Sequence, residues 1–159
     1  MYKLFVDLDG VLVDFDKGVT QITGKKPEQL DASYMWSVLA QQEEFYATLP
    51  WTHDGRKLWD TVRLLNPTVL TGLPEGNWAR NQKLEWCARE LGKDVPVLTC
   101  RSKDKAKVGR QATDPALTPI LIDDRSSLRE SWEGINGIFI HHTSGNDSIR
   151  QLKEAHIIK

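Results

Sequence analysis

Five short apolar runs punctuate the chain, and four of them stop abruptly on residues that carry chemistry or allow a turn. Leu4-Phe5-Val6 precedes Asp7, Pro67-Thr68-Val69-Leu70 precedes Thr71-Gly72, and Val95-Pro96-Val97-Leu98-Thr99 stands third. Pro119-Ile120-Leu121-Ile122 precedes Asp123-Asp124, and Gly137-Ile138-Phe139-Ile140 precedes His141-His142. Runs this short and this uniformly apolar suit strands buried on both faces. Between them the pattern turns helical. Phe15, Val19 and Ile22 share a face until Gly24 to Pro27 breaks it, and Leu58, Val62, Leu64 and Leu65 cover one side of a helix after Trp51. Trp78, Leu84, Cys87 and Leu91 line another, which Gly92 stops. Lys103 to Arg110 reads as a short exposed helix, and Ser148 to Ala155 as the closing one. Strands alternating with helices predict an α/β fold: a Rossmann-like parallel sheet of about five strands with helices on both faces. Right-handed crossovers then bring every strand's C-terminal end to one edge, where such sheets bind ligands.

A length of 159 residues suits one domain with a real core. From Glu28 to Leu49 come helix-like pieces, including Tyr34-Met35-Trp36 and Phe45-Tyr46, and no strand, so residues 15–50 read as a small helical cap inserted after the first strand. A formal charge of −1 predicts no broad attraction to a polynucleotide or a membrane surface. No charged leader precedes an apolar run at the N-terminus and no run reaches membrane-spanning length, so a cytoplasmic protein is expected. Cys87 and Cys100 have no zinc or redox spacing and read as two buried free thiols. Six tryptophans exceed what a core this size needs, which leaves some to line a pocket for a planar ligand. A homodimer is among the assemblies the sequence allows.

The first run ends in two carboxylates one residue apart, Asp7 and Asp9, with Gly10 behind them. On extended backbone alternate side chains share a face, so both carboxylates can look into one cleft. Anions held that close repel unless a cation lies between them, and Mg²⁺ is the usual hard cation for oxygen ligands. Alone, the stretch would read as an Asp-Gly surface turn; a second acidic pair at Asp123-Asp124 overturns that reading. Phosphoryl transfer from an ester needs a nucleophile, a metal, donors for the equatorial oxygens and an acid for the leaving oxygen. Asp7 can attack phosphorus to give an aspartyl-phosphate. Asp9 can protonate the leaving alkoxide and then deprotonate water. The Thr71 hydroxyl and backbone N–H groups near Leu8 and Gly72 can cradle phosphate oxygens. A lysine would neutralise charge, and Asp7 with Asp124 would hold Mg²⁺.

Asp7-Leu8-Asp9-Gly10-Val11, Thr71 at a strand end, and Ile120-Leu121-Ile122-Asp123-Asp124 resemble motifs I, II and IV of the haloacid dehalogenase superfamily of Mg²⁺-dependent phosphohydrolases. The Asp14-Phe15 pair, Lys83-Leu84-Glu85-Trp86 before Leu91-Gly92, Leu98-Thr99 followed by Asp104-Lys105, and Trp132-Glu133 are similar to its 5′(3′)-deoxyribonucleotidase branch. The resemblance implies Asp7 as nucleophile and Asp9 as general acid/base. It implies Mg²⁺ held by Asp7, the backbone carbonyl of Asp9 and Asp124, with Asp123 in support. Lys105 becomes the phosphate-neutralising lysine and Lys83 a support for the carboxylates from the neighbouring helix. Phe15 would line the base pocket, with Trp36, Phe45 and Tyr46 as further pocket candidates, and the substrate would be a small nucleotide, a (deoxy)nucleoside monophosphate. Two departures stand out: the segment from Phe15 to Trp51 is shorter than the family's cap, and an insertion containing Asp114-Pro115-Ala116 separates Lys105 from Asp124.

Competing readings remain at this level. The same chemistry could serve another small phosphoester such as a sugar phosphate. A phospho-accepting signalling domain also groups acids, Thr and Lys around Mg²⁺, but its acceptor follows a later strand. Taken singly, Thr71-Gly72 is an ordinary strand-to-turn transition, Lys83 a solvated helix charge, and Lys103, Lys105, Lys107 and Arg110 a solvated basic face. The side chains of His141 and His142 point apart on extended backbone, which favours structural roles.

Overall fold

In a computed structural model describing residues 1–159, the apolar runs pair into a single sheet. Its strands are β1 (Tyr2–Val6), β2 (Thr68–Gly72), β3 (Val97–Cys100), β4 (Thr118–Asp123) and β5 (Ile138–His141), in the order β3-β2-β1-β4-β5. Every pairing is parallel, so each connection must cross a face of the sheet. The connections carry α1 (Phe15–Thr23), α2 (Ala32–Gln41), α3 (Gly55–Val62), α4 (Ala79–Glu90), α5 (Lys105–Gln111) and α6 (Arg129–Glu133), and α7 (Gly145–Glu154) follows β5. The architecture is the Rossmann-like α/β sheet that the alternation predicts. No helix is long and apolar enough to cross a membrane.

Sheet order fixes where chemistry can occur. From β1 the sheet grows outward through β2 and β3, then the chain returns to the other flank of β1 to lay down β4 and β5. The resulting switch point, between β1 and β4, opens a crevice at the strands' C-terminal ends. Val6 stands opposite Ile122, and the Asp7 N–H donates to the Ile122 carbonyl at 3.0 Å. Asp7 and Asp123 therefore leave the sheet side by side.

Alternation along the strands divides the core. Leu4, Val6, Val69, Ile120, Ile122 and Ile140 face the larger cluster, which also holds Leu58, Trp59, Val62, Trp86, Cys87 and Leu152 from α3, α4 and α7. Phe5, Leu70, Leu121 and Phe139 face the other way, onto Trp132 of α6. Met35, Leu39, Phe45, Tyr46 and Leu49 belong to the larger cluster, so the helical 15–50 segment shares the core of the sheet.

Several expectations are corrected. Leu64 and Leu65 are 79% and 39% exposed, because α3 ends at Val62 and a 3₁₀ turn over Arg63–Leu65, closed by left-handed Asn66, swings them outward. Trp59 takes their place inside. Ile22 is exposed, and Gly18 instead brings α1 against Leu49 and Phe45. On α4 the buried face is Ala79, Lys83, Trp86 and Cys87 rather than one through Leu84. β3 begins at Val97, after Pro96, and Cys100 is only half-buried. Helix α5 is not a wholly exposed helix, since Lys105 and Gly109 are buried.

Gly109 lies against the Trp132 indole, and a Cβ there would overlap the ring. Gly109→Ala is expected to destabilise the fold by about 1–3 kcal/mol through overpacking, read as a lowered midpoint in chemical denaturation; an unchanged midpoint would contradict this account of the α5–α6 contact.

Candidate active site

The C-terminal edge gathers four carboxylates and two ammonium groups. Lys105 Nζ donates to Asp7 Oδ1 at 3.0 Å and to Asp123 Oδ2 at 2.7 Å. Asp123 Oδ1 accepts from the Arg125 N–H at 2.9 Å, so both of its oxygens are engaged within the protein. Lys83 Nζ donates to Asp9 Oδ2 at 3.0 Å, to Thr71 Oγ1 at 2.9 Å and to the Gly72 carbonyl at 2.7 Å. Both lysines are buried, Lys83 to 1% exposure. An ammonium gives up its hydration only where fixed acceptors replace it. The solvated-charge readings of Lys83 and Lys105 therefore fail.

Asp124 supplies the fourth carboxylate. Its oxygens rest against Gly10, where φ is +78° and a Cβ would collide with them, so glycine is required at that turn on both counts. One oxygen each from Asp7, Asp123 and Asp124 lies within 4.8 Å of the others. Crowding leaves a clear electrostatic mark. The Asp124 residue is open to solvent at its edge, but its carboxyl faces down into the cleft, and loss of hydration, then Asp7 and Asp123, push it up to about 7. Burial, then Asp7, raises Asp123 to about 6, against the pull of Lys105. Burial also raises Asp9, with Lys83 opposing. Burial works against the Lys105 charge, yet Asp7 and Asp123 hold it well above the ordinary lysine value.

This donor set fits a hard divalent cation. The Asp7 carboxylate carries a single hydrogen bond, the Asp124 carboxylate accepts from no other residue, and the Asp9 carbonyl accepts no hydrogen bond. Asp123, with both oxygens engaged, supports the cluster through Lys105 instead. Oxygen donors of this kind hold Mg²⁺ or a similar ion.

A cleft of about 1270 Å³ opens over this edge and is lined by Asp7, Asp9, Gly72, Lys105, Asp123 and Asp124. The N–H groups of Leu8 and Asp9 make no hydrogen bond and are available at the strand end. Thr71 and Lys83 do not line the cleft; they lie fully buried behind it and reach it through Asp9 and the Gly72 carbonyl. Phe15 and Trp36, the expected pocket residues, stand in one wall with ring centroids 5.6 Å apart. Tyr46 and Trp78 complete it, stacked at 5.5 Å and 27°. Trp78 had read as a core residue of α4. Ser102 was not anticipated either, yet it lines the cleft with its hydroxyl against Gly72. His141 and His142 do point apart, His141 Nε2 toward the Asp124 carbonyl and His142 Nδ1 to Ser148 Oγ at 2.7 Å.

Fold and site together define a Rossmann-like α/β protein with an acidic, lysine-braced cleft at its switch point. No family model matches the chain, and no curated protein matches it in sequence. Among solved structures, a hydrolase from Streptococcus pneumoniae TIGR4 superposes on 99% of this chain and 98% of its own, with a TM-score of 0.54 and 13% identity. That likeness is one of fold.

The raised carboxyls bear on stability. Asp123 and Asp124, at about 6 and about 7, hold protons in the folded chain that the unfolded chain, near 3.8, has already released. Between those values stability therefore falls as pH rises. Without divalent cation, the contribution of these groups is expected to make Tm lower at about pH 7.5 than at about pH 5.5. Millimolar Mg²⁺ is expected to raise Tm by about 2–4 °C at the higher pH and by less at the lower, where protons occupy the carboxyls. A Tm indifferent to divalent cations at both pH values would count against a metal centre.

Proposed function

We propose that this chain is a Mg²⁺-dependent phosphatase that hydrolyses small phosphomonoesters through an aspartyl-phosphate, with a nucleoside monophosphate as substrate. The observation that carries the reading is the meeting of Asp7 and Asp123 on the Lys105 ammonium, with Asp9 two residues beyond Asp7 and braced separately by Lys83. Phosphoryl transfer needs these groups, in this proximity, and little else from the protein.

Asp7, with the oxygen held by Lys105 left to face the cation as well, turns the other on phosphorus. As the P–O bond to the leaving group breaks, Asp9 passes a proton to the departing oxygen, and in the second step it takes one from the water that attacks the aspartyl-phosphate. Lys105 offsets charge on the phosphoryl oxygens, while the free N–H groups of Leu8 and Asp9, the Gly72 turn and the Ser102 hydroxyl offer donors around them. Thr71 and the Gly72 carbonyl orient Lys83, which in turn fixes Asp9. Mg²⁺, held by Asp7, the Asp9 carbonyl and Asp124, would supply further positive charge to the phosphoryl group. The wall of Phe15, Trp36, Tyr46 and Trp78 offers flat apolar faces on which a base can stack, which supports a nucleotide over a sugar phosphate.

Asp7→Asn is expected to lower phosphatase turnover by at least about 10⁴-fold, with Tm no lower than that of the unsubstituted chain because one of the crowded charges is gone. Near-normal turnover by this variant in Mg²⁺ would sink the aspartyl-phosphate reading. In a panel of phosphorylated metabolites, nucleoside monophosphates are expected to show the highest kcat/KM; indifference to the base would remove the nucleotide while leaving the phosphatase.

A further inference from the structure

Two buried side-chain polar atoms lack a well-formed hydrogen bond, the Tyr46 hydroxyl and Asp9 Oδ1, and their residues lie close enough for the Asp9 carboxylate to act on the phenol. Native interiors rarely leave such groups unpaired, so a facing pair of them marks a contact completed only at some stage of the protein's work. The Tyr46 ring cannot turn away. It stacks on Trp78 at 5.5 Å and lies nearly parallel to Phe15 at 6.2 Å, with Lys83 Nζ 4.4 Å from its centroid. Its backbone N–H is tied to Gln82 Oε1 at 2.7 Å. Only the O–H rotor remains free. Burial, then the Asp9 charge, raises the phenol well above its ordinary value of 10, so it stays a donor. A phenylalanine would serve the aromatic wall equally well; the hydroxyl requires another reason.

Asp9 provides it. Oδ1 is closed to solvent on the phenol's side, so the oxygen turned toward the cleft, which exchanges a proton with substrate, is Oδ2, steadied by Lys83. We propose that Tyr46 is a positioning residue for Asp9, its hydroxyl donating to Oδ1 whenever the carboxylate is without its proton. The proposal rests on the acid/base role given to Asp9 above. As an Asp7 oxygen bonds to phosphorus, the ester P–O bond breaks and the leaving oxygen departs with the electron pair. That oxygen takes the Asp9 proton, and the carboxylate left behind accepts the Tyr46 O–H. When water attacks phosphorus, its proton passes to Asp9 Oδ2, the pull of Oδ1 on the phenol O–H weakens, and the Asp7–phosphorus bond breaks to release phosphate. The phenol keeps its own proton throughout.

Such a contact matters in proportion to the leaving group's need for a proton. Tyr46→Phe preserves the ring, its stacking and its contact with Lys83, which a matched Tm verifies. On an alkyl phosphomonoester the variant is expected to lose about tenfold in kcat/KM, mostly in kcat, with KM within about twofold. On p-nitrophenyl phosphate, whose leaving group needs little protonation, the loss is expected to fall below about twofold. In an Asp9→Asn background, Tyr46→Phe is expected to cost nothing further. Equal losses on both esters, no loss on the alkyl ester, or an undiminished loss without Asp9 would each overturn the positioning role alone. A wild-type chain that hydrolyses neither ester overturns the phosphatase reading and this inference with it.

Discussion

Four carboxylates and two ammonium groups share one end of this sheet, and much of the structure answers to that imbalance. Like charges about 4 Å apart repel by about 4 kcal/mol even at an effective dielectric constant of 20. The chain meets this repulsion by drawing two lysines out of water. Lys105 bridges Asp7 and Asp123, and Lys83 ties Asp9 to the end of β2. Helices α4 and α5 each present a lysine inward for this reason. Asp7 and Asp124 keep acceptor capacity at the cleft, so charge and geometry agree on where a cation could bind.

Topology explains why those acids meet at all. The residues are more than a hundred positions apart in the chain, yet β1 and β4 are paired neighbours, and the ladder ends with Asp7 and Asp123 side by side. Gly10 then lets the β1 turn come close enough for Asp124 to rest against its main chain. Lys105 crosses over from the helix after β3 to close the group. Three connections of the fold thus converge on a single ammonium.

Much of this is legible in the sequence because the strands are continuous apolar runs and their polar endings interrupt them sharply. Asp7, Asp9, Asp123 and Asp124 announce themselves as acids where a sheet edge should be. The lysines do not. Helical periodicity treats lysine as a surface residue, and what buries Lys83 is an acid 74 positions away, a distance no local pattern reaches. The misplacement of Leu64 and Leu65 has a different origin: a 3₁₀ turn changes the angular step between residues, so a face extrapolated from α3 points the wrong way after Val62. Trp78 escaped notice because its apolar character fits a core and a ligand wall alike, and only the fold decides between them.

The 15–50 segment contributes Phe45, Tyr46 and Leu49 to the same hydrophobic cluster that supports β1 and β4. Tyr46 belongs both to that cluster and to the cleft wall. In this protein, then, the shape of the cleft wall and foldability are not separable traits. A substitution that reshapes the wall also alters the packing beneath the acidic edge, so the wall can vary only within what the common core tolerates.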